Sequence, residues 1–178
     1  NPGDRLLIEG GVTFYENVTI TRSLTLQGGY DGCASGSTDR TTLDGGGSGR
    51  VFEILQGLDV TLENMNVTHG TTGAEGGGVR FAAGSGTGTL TLAHVSIYGN
   101  SATWGGGLWV GINAQVDGTG VQIYDNTASI YGGGVRLYGG RATFESSNVY
   151  NNTAPMGGGV FGSSESGYGP SLDLLSAA

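Results

Sequence analysis

The sequence lacks or is poor in several residue types, and each shortage excludes something. Its 178 residues include no lysine, one cysteine and three prolines, and seven arginines face fifteen acidic residues for a formal net charge of −8. Because nucleic-acid binding needs a basic face, this balance argues against a nucleic-acid partner. No apolar run reaches the length of about 20 residues that a transmembrane helix needs. A single cysteine excludes an internal disulfide.

Glycine, by contrast, is abundant, with 38 copies. Each costs roughly 1 kcal/mol relative to alanine inside a helix, so a helical fold is disfavoured. Short runs such as Leu90-Thr91-Leu92 and Val121-Gln122-Ile123 alternate apolar and polar residues and carry β-branched side chains. This period of two predicts strands.

A glycine triplet followed by an aliphatic residue occurs four times, at intervals of 29, 27 and 25 residues. Such a period predicts a solenoid, in which each repeat is one coil stacked on its neighbours. We expect the triplets at corners, where the chain adopts positive φ or passes close to the next coil. The twelve glycines are Gly76, Gly77, Gly78, Gly105, Gly106, Gly107, Gly132, Gly133, Gly134, Gly157, Gly158 and Gly159.

A second motif, aliphatic-Tyr-x-Asn, precedes three of the triplets and recurs every 26 residues. Stacking would turn its tyrosines into an aromatic ladder and its asparagines into an amide ladder. The asparagines are either turn residues that tolerate the left-handed region or ligands for a cation or a sugar. The tyrosines are either packing residues or a sugar platform. The ladder residues are Tyr98, Tyr124, Tyr150, Asn100, Asn126 and Asn152.

These patterns predict an all-β fold, a right-handed parallel β-helix of about six to seven coils in one domain. Cys33 falls in a Gly/Ser-rich loop and is either a site of intermolecular bonding or a small buried residue. The predicted parts of the domain, residues 1–178, are irregular N-terminal coils in 1–54 with a loop near 30–41, regular coils in 55–160, and a C-terminal coil or cap in 161–178.

Two stretches resemble known families. The opening Pro2-Gly3-Asp4-Arg5-Leu6-Leu7-Ile8 and the run from Ser23 to Tyr30 resemble the start of right-handed β-helix proteins of the pectate-lyase-like superfamily. The paired tyrosine and glycine motifs are similar to the FxxN and GGA(I/L/V) repeats of polymorphic outer-membrane proteins, with an aliphatic residue for the Phe and a third Gly for the Ala. The resemblance implies a secreted or surface-exposed bacterial protein, often adhesive.

No catalytic constellation can be assembled from the sequence, and we predict that the protein is not an enzyme. The carboxylates are scattered, whereas glycoside hydrolysis needs two flanking the scissile bond. Arg80, Trp109 and Arg136 share one position after successive triplets and form a possible ligand face for acidic sugars, or a solvated face. We predict no metal site and no cofactor; calcium near Asp125-Asn126 stays open, although the calcium β-roll nonapeptide is missing.

The predicted function is that of a non-enzymatic structural or adhesive β-helix outside a bacterial cell. Its expected partners are a second copy stacked end to end into a fibre, further coils of a longer chain, or surface glycans. The alternative is a polysaccharide-binding or polysaccharide-cleaving, lyase-like β-helix. Ligand contacts are expected in the variable loops after Val79, Leu108 and Val135. Ice binding is not expected, because Thr89 and Thr91 show no equivalents in neighbouring coils.

Overall fold

The computed structural model describes residues 3–32, 39–82, 84, 86–164 and 167–175. Within these ranges the secondary structure consists of 21 β-strands without a helix. The strands pair in parallel and wind into six complete coils and the first strand of a seventh. The predicted all-β parallel solenoid of six to seven coils is confirmed. Cys33 lies outside the described residues, so neither prediction for it is tested.

The first strand of every coil belongs to sheet 1, which has seven strands. Its strands are β1 (Arg5–Glu9), β4 (Leu24–Tyr30), β7 (Val60–Glu63), β10 (Gly88–Ala93), β14 (Ala114–Thr119), β18 (Arg141–Glu145) and β21 (Ser171–Leu175). The second strand of each complete coil belongs to sheet 2. Its six strands are β2 (Thr13–Tyr15), β5 (Thr41–Asp44), β8 (Met65–Thr68), β11 (Ser96–Tyr98), β15 (Gln122–Tyr124) and β19 (Asn148–Tyr150).

A third face and a short fourth one complete the coils. Sheet 3 contains β3 (Val18–Ile20), β6 (Phe52–Ile54), β9 (Val79–Phe81), β13 (Leu108–Val110), β17 (Val135–Tyr138) and β20 (Val160–Ser163). Sheet 4 pairs only β12 (Ser101–Trp104) with β16 (Thr127–Tyr131), between sheets 2 and 3 along the chain. No helix of the described residues is long and apolar enough to cross a membrane.

The interior is filled by columns of apolar side chains that repeat from coil to coil. In sheet 1 the alternation of β10 buries Leu90 and Leu92, which pair in register with Val60 and Leu62 of the preceding coil. Full burial of such a side chain stabilises the fold by about 1.5–3 kcal/mol. Because sheets 2 and 3 supply further aliphatic columns, the core is continuous along the stack.

In one interior column, a glycine of one coil lies beside a large aromatic side chain of the next coil. Gly118 stands where other coils carry an apolar side chain, and it pairs in register with Phe144 of the next coil. A Cβ on Gly118 would lie 2.5 Å from Cδ1 of Phe144, whose ring is fully buried. The missing side chain therefore leaves the space that the ring of the next coil fills. This explains the interruption of the alternating pattern that the sequence shows after Val116.

The outer face of sheet 1 corrects one expectation. Thr91 pairs in register with Thr61, and Thr61 with Thr25, so three consecutive coils do carry a threonine row. The expectation that Thr91 lacks equivalents was wrong, because the pairing of Leu90 and Leu92 with Val60 and Leu62 brings Thr61 beside Thr91. Asp117 interrupts the row before Thr143.

Substitution of Gly118 by alanine tests whether the glycine is needed to leave room for the Phe144 ring. We expect Gly118→Ala to lower the free energy of unfolding by about 1–3 kcal/mol, because the new methyl group overlaps the Phe144 ring. In a Phe144→Leu background the cost should shrink, giving a coupling of about 1 kcal/mol in a double-mutant cycle. Urea unfolding of the four proteins measures it. Gly73→Ala is the control, because nothing lies within 4 Å of its Cβ position; equal costs at both sites would contradict the explanation.

Candidate functional site

The predicted ligand face is a single outward row on sheet 3. Glu53, Arg80, Trp109, Arg136 and Phe161 pair in register on consecutive coils. The row therefore runs parallel to the solenoid axis, with neighbouring positions about 4.8 Å apart. The structure brings the three predicted residues Arg80, Trp109 and Arg136 together in this row.

The charged side chains of Glu53 and Arg80, in the first two positions of the row, have partners within the protein. Glu53 pairs with the guanidinium groups of both Arg50 and Arg80. The Arg80 guanidinium lies 5.1 Å from the ring centroid of Trp109, within the range of a cation–π interaction. Glu75 approaches the Nε of Arg80 at 3.6 Å. Arg80 is therefore paired with carboxylates of the protein, and its guanidinium group is packed against a ring.

Arg136 is surrounded by aromatic rings. Its guanidinium carbon lies 4.8 Å from the centroid of Phe161, 5.4 Å from Tyr131 and 5.6 Å from Tyr138. Only 5% of the residue is exposed. Burial lowers the pKa of Arg136, although the nearby Tyr131 and Tyr138 act in the opposite direction.

The polar contacts of Arg136 are all to uncharged groups. One terminal nitrogen donates to the carbonyl oxygens of Leu137 at 3.1 Å and Phe161 at 3.4 Å. The other donates to Oγ of Ser163 at 2.7 Å. Among the described residues, no carboxylate forms a salt bridge with this guanidinium, in contrast to Arg80.

A second row faces the first across a groove. Glu75, Trp104, Tyr131 and Met156 are bridged from coil to coil at the edge of sheet 4. Each of them directly precedes a glycine triplet, whose first glycine has positive φ and turns the chain into sheet 3. The sequence analysis did not single out these four residues. Their common position before the triplets is the signal that would have found them.

The two rows enclose a cleft of about 370 Å³, which we call the aromatic groove. Trp109 and Arg136 are buried at its sheet 3 side, whereas Trp104, Tyr131 and Tyr138 are partly exposed. Apolar clefts of this size with a few placed polar groups are the usual form of ligand sites. The lining residues are Glu75, Trp104, Trp109, Tyr131, Arg136 and Tyr138.

A second groove, of about 420 Å³, lies at the corner between sheets 3 and 1, in the loops where the sequence predicted ligand contacts. Its walls are mostly glycines and polar side chains such as Asn113, Gln115 and Arg141, with Tyr168 as its single aromatic among the described residues. The aromatic groove has the lining that ligand sites share, and it is therefore the better candidate.

The asparagine ladder lies inside the coil, away from this groove. Asn100 and Asn126 are 1% and 0% exposed. The Oδ1 of Asn126 accepts from the backbone N–H and from Nδ2 of Asn100, both at 3.0 Å. Its Nδ2 donates to the carbonyl of Ile97 at 2.9 Å and to Oδ1 of Asn152 at 3.0 Å. These bonds leave the buried amides unavailable to a cation or a sugar.

The interpretation of the ladder asparagines as turn residues expected each of them to adopt the left-handed conformation, but the residue before each one adopts it. The left-handed residues are Gly99, Asp125 and Asn151, with φ of 64°, 53° and 53°, and the ladder asparagines follow them. The ladder side chains therefore hold the corner by bonding across coils, and the residue before each one makes the turn.

The tyrosine ladder consists of stacked rings. Tyr98 and Tyr124 have centroids 5.0 Å apart at an interplanar angle of 7°, and Tyr124 and Tyr150 are 5.1 Å apart at 9°. A sugar stacks on the face of a ring, and both faces of Tyr124 are covered by its neighbours. Burial and the adjacent Tyr98 and Tyr150 raise the pKa of Tyr124.

The second and third coils replace the tyrosine by other residues. Asp44 and Thr68 occupy the row, and the Asp44 carboxylate lies 2.9 Å from Nδ1 of His69. Burial by itself raises the pKa of Asp44, but hydrogen bonds from His69 and the N–H of Gly46 outweigh it and hold the pKa below its usual value. Within the described part of the chain, no three His, Cys, Asp or Glu side chains are grouped closely enough to hold a metal ion.

Removal of the central ladder amide tests its structural role. We expect Asn126→Ala to cost about 2–4 kcal/mol of unfolding free energy, because the N–H of Asn100 and the carbonyl of Ile97 stay buried without partners. Asn148→Ala is the matched control, since that side chain is exposed and makes one bond of 3.3 Å to Gln122. Thermal and urea unfolding measure both. Equal effects of the two substitutions would contradict a structural role.

Comparison of the chain with protein-family models, curated proteins and solved structures gives no match. The parallel β-solenoid is shown, while membership of the pectate-lyase-like superfamily stays a prediction.

Proposed function

We propose that this protein is an adhesive β-solenoid of the bacterial cell surface that binds carbohydrate in the aromatic groove without cleaving it. The observation that carries the proposal is the pair of facing rows, which present the partly exposed rings of Trp104, Tyr131 and Tyr138 to one cleft. Tyr and Trp are enriched at binding surfaces, because each offers a large apolar face together with a polar group, and a cleft lined by several of them is typical of a ligand site.

Carbohydrate suits the chemistry of this cleft. A pyranose ring has an apolar C–H face that packs on an aromatic ring, and hydroxyl groups at its rim that need hydrogen-bond partners. Trp104 and Tyr131 supply the aromatic surface, while Glu75 and Arg136 supply an acceptor and a donor in the same cleft. Because both rows follow the solenoid axis, the groove favours a linear chain lying along the rod.

Binding without cleavage is supported by the carboxylates. Glu75 is the single carboxylate among the described residues that line the groove, and it is directed toward Arg80 at 3.6 Å. Hydrolysis of a glycosidic bond generally uses two carboxyl groups, one as acid and one as nucleophile or base. Among the described residues, the groove therefore has the parts of a binding site and one carboxylate, where a hydrolase uses two.

An extracellular location is supported by composition and by the resemblance to surface β-helix repeats. Charged residues make up 12% of the chain, and the polar surface is built largely from Thr, Ser, Asn and Gly. The stacked coils form a rod, which suits a protein that presents a binding groove away from a cell.

Loss of one wall ring tests the groove. We expect Trp104→Ala to weaken binding of the best glycan from an array by about 10-fold or more, as for a central aromatic anchor. The solenoid should stay folded because Trp104 is partly exposed on the short sheet 4. Calorimetry gives the affinity, and circular dichroism checks the fold.

Tyr15→Ala is the matched control for this experiment, because Tyr15 is 74% exposed and lies on sheet 2. Equal losses in both variants, or no glycan bound at all, would contradict the proposal. Release of reducing or unsaturated sugar ends during incubation would show cleavage and overturn the non-enzymatic part of it.

End-to-end association is the second candidate function. Tyr15 and Tyr150 occupy the two ends of one outer row of sheet 2 and are 74% and 43% exposed. A second copy that placed Tyr15 beside Tyr150 would continue the row of rings. Apolar side chains are also exposed on the first and last strands of sheet 1, with Leu6 at 58% and Leu174 at 65%.

The strand count constrains such a joint. Sheet 1 has seven strands, while sheets 2 and 3 have six. If β2 and β3 of one copy paired with β19 and β20 of another, β1 of the first copy would need the position that β21 holds. A flush joint therefore requires β21 to leave sheet 1.

Shortening the chain tests this joint. We expect a variant that lacks residues 171–178 to form rods at concentrations at least about 10-fold lower than the full chain, because β1 of the next copy no longer competes with β21. Analytical ultracentrifugation and electron microscopy measure the association. Val149→Asp in the shortened chain should abolish it, since Val149 lines a cleft at the end of the last complete coil, where the second copy would pack. Isolated short rods for both chains at high concentration would contradict the fibre hypothesis.

A further inference from the structure

The strongest unexplained feature of the molecule is the charge of Arg136. The residue is 5% exposed, and its hydrogen bonds go to two carbonyl oxygens and one hydroxyl group. Buried charges are normally paired with an opposite charge, because removal from water costs several kcal/mol per ion. Among the described residues Arg136 has no such partner, and aromatic rings alone surround the rest of the guanidinium.

The charges around the groove also favour an anionic ligand. Three of the seven arginines of the chain, Arg50, Arg80 and Arg136, lie on this face, against the two carboxylates of Glu53 and Glu75. The local sum of three positive and two negative charges is +1, in a chain of net charge −8. The two carboxylates already pair with Arg50 and Arg80. Among these five residues, Arg136 is therefore the charge without a carboxylate partner, and it favours the approach of an anion to this face of an acidic protein.

From these observations we propose that the ligand of the aromatic groove is an acidic glycan whose carboxylate or sulfate pairs directly with Arg136. This inference rests on the proposed function, because it names the class of sugar that the groove selects. A guanidinium group matches a carboxylate or sulfate in shape and can donate two parallel hydrogen bonds to it. The ligand would supply the counter-ion, while Trp104 and Tyr131 pack on the sugar ring that carries it.

The direction of the pKa shift agrees with this role. Burial lowers the pKa of Arg136, which means that the surroundings disfavour its charged form relative to water. An oxyanion placed in the groove would reverse that effect. The pairing needs no bridging cation, since Arg136 itself lines the groove.

The test compares sugars that differ only in charge. The probes are an alginate oligosaccharide, which is a chain of uronic acids, the same oligosaccharide with its carboxylates reduced to hydroxymethyl groups, and a sulfated oligosaccharide. Binding is measured by calorimetry in a chelating buffer. We expect at least one acidic probe to bind about 10- to 100-fold more tightly than the reduced one, as for hydrogen bonds to a charged group.

Arg136→Met keeps the apolar stem and should abolish the preference for the acidic probe, so that this variant binds the acidic and the reduced probe equally. Arg22→Met is the matched control, because it removes the same charge from a side chain that is 70% exposed and outside both grooves. Arg136→Lys keeps the charge without the planar fork and should retain part of the preference. If Arg136→Met does not fold, the lysine variant and the probe comparison on the unaltered protein still decide the matter.

The possible results separate the two proposals. Equal binding of acidic and reduced probes, or a preference that survives in Arg136→Met, would overturn the pairing and leave carbohydrate binding intact. Absence of binding to every probe and every glycan would overturn both. Glu165 follows Ser163 by two positions and lies outside the described residues, so Glu165→Gln is included. A gain of about 10-fold or more in this variant would assign the counter-ion to the protein itself and overturn the pairing.

Discussion

Parallel pairing of the backbone from coil to coil is the constraint on which everything else in this protein depends. Because each coil hydrogen-bonds to the next in register, every position meets its own equivalent above and below. Identical chemistry is then favoured along each column: valine and leucine inside, amides at one corner, glycines at the next. The asparagine column shows the physical reason, since a single amide satisfies its own coil and the neighbouring one at once.

Columns of outward-facing side chains need not keep the same chemistry from coil to coil, because water can solvate them. At these positions the sequence varies. The position before each glycine triplet carries Glu75, Trp104, Tyr131 and Met156, four different side chains in four coils. The outer row of sheet 3 varies in the same way. The groove between these rows brings several large aromatic residues to opposite sides of one cleft, and its chemistry comes from columns that the fold leaves unconstrained.

The prediction from sequence succeeded for features with a period. The triplets, the tyrosines and the asparagines recur often enough to reveal the solenoid, and pairing in register follows from that. It failed for the threonine row on sheet 1, where Thr25, Thr61 and Thr91 pair in register although no motif marks their positions. The interpretation of the ladder asparagines as left-handed turn residues was also wrong by one position, since Asp125 adopts that conformation and Asn126 follows it. A motif reports which residues recur, but not which of two neighbours bears the turn.

The architecture follows from the repeat in the chain, because a repeat that stacks on itself leaves few alternatives for its apolar columns. The site depends instead on packing between coils. Trp104 and Trp109 are five positions apart in one coil, yet they lie on opposite sides of a cleft. The reason is that the chain turns at Gly105 from sheet 4 into sheet 3. The isolation of Arg136 from any described carboxylate is likewise invisible in the chain, since Arg80 occupies the same position in its coil and has two. Pairing of charges depends on distances across coils, and no local pattern encodes them.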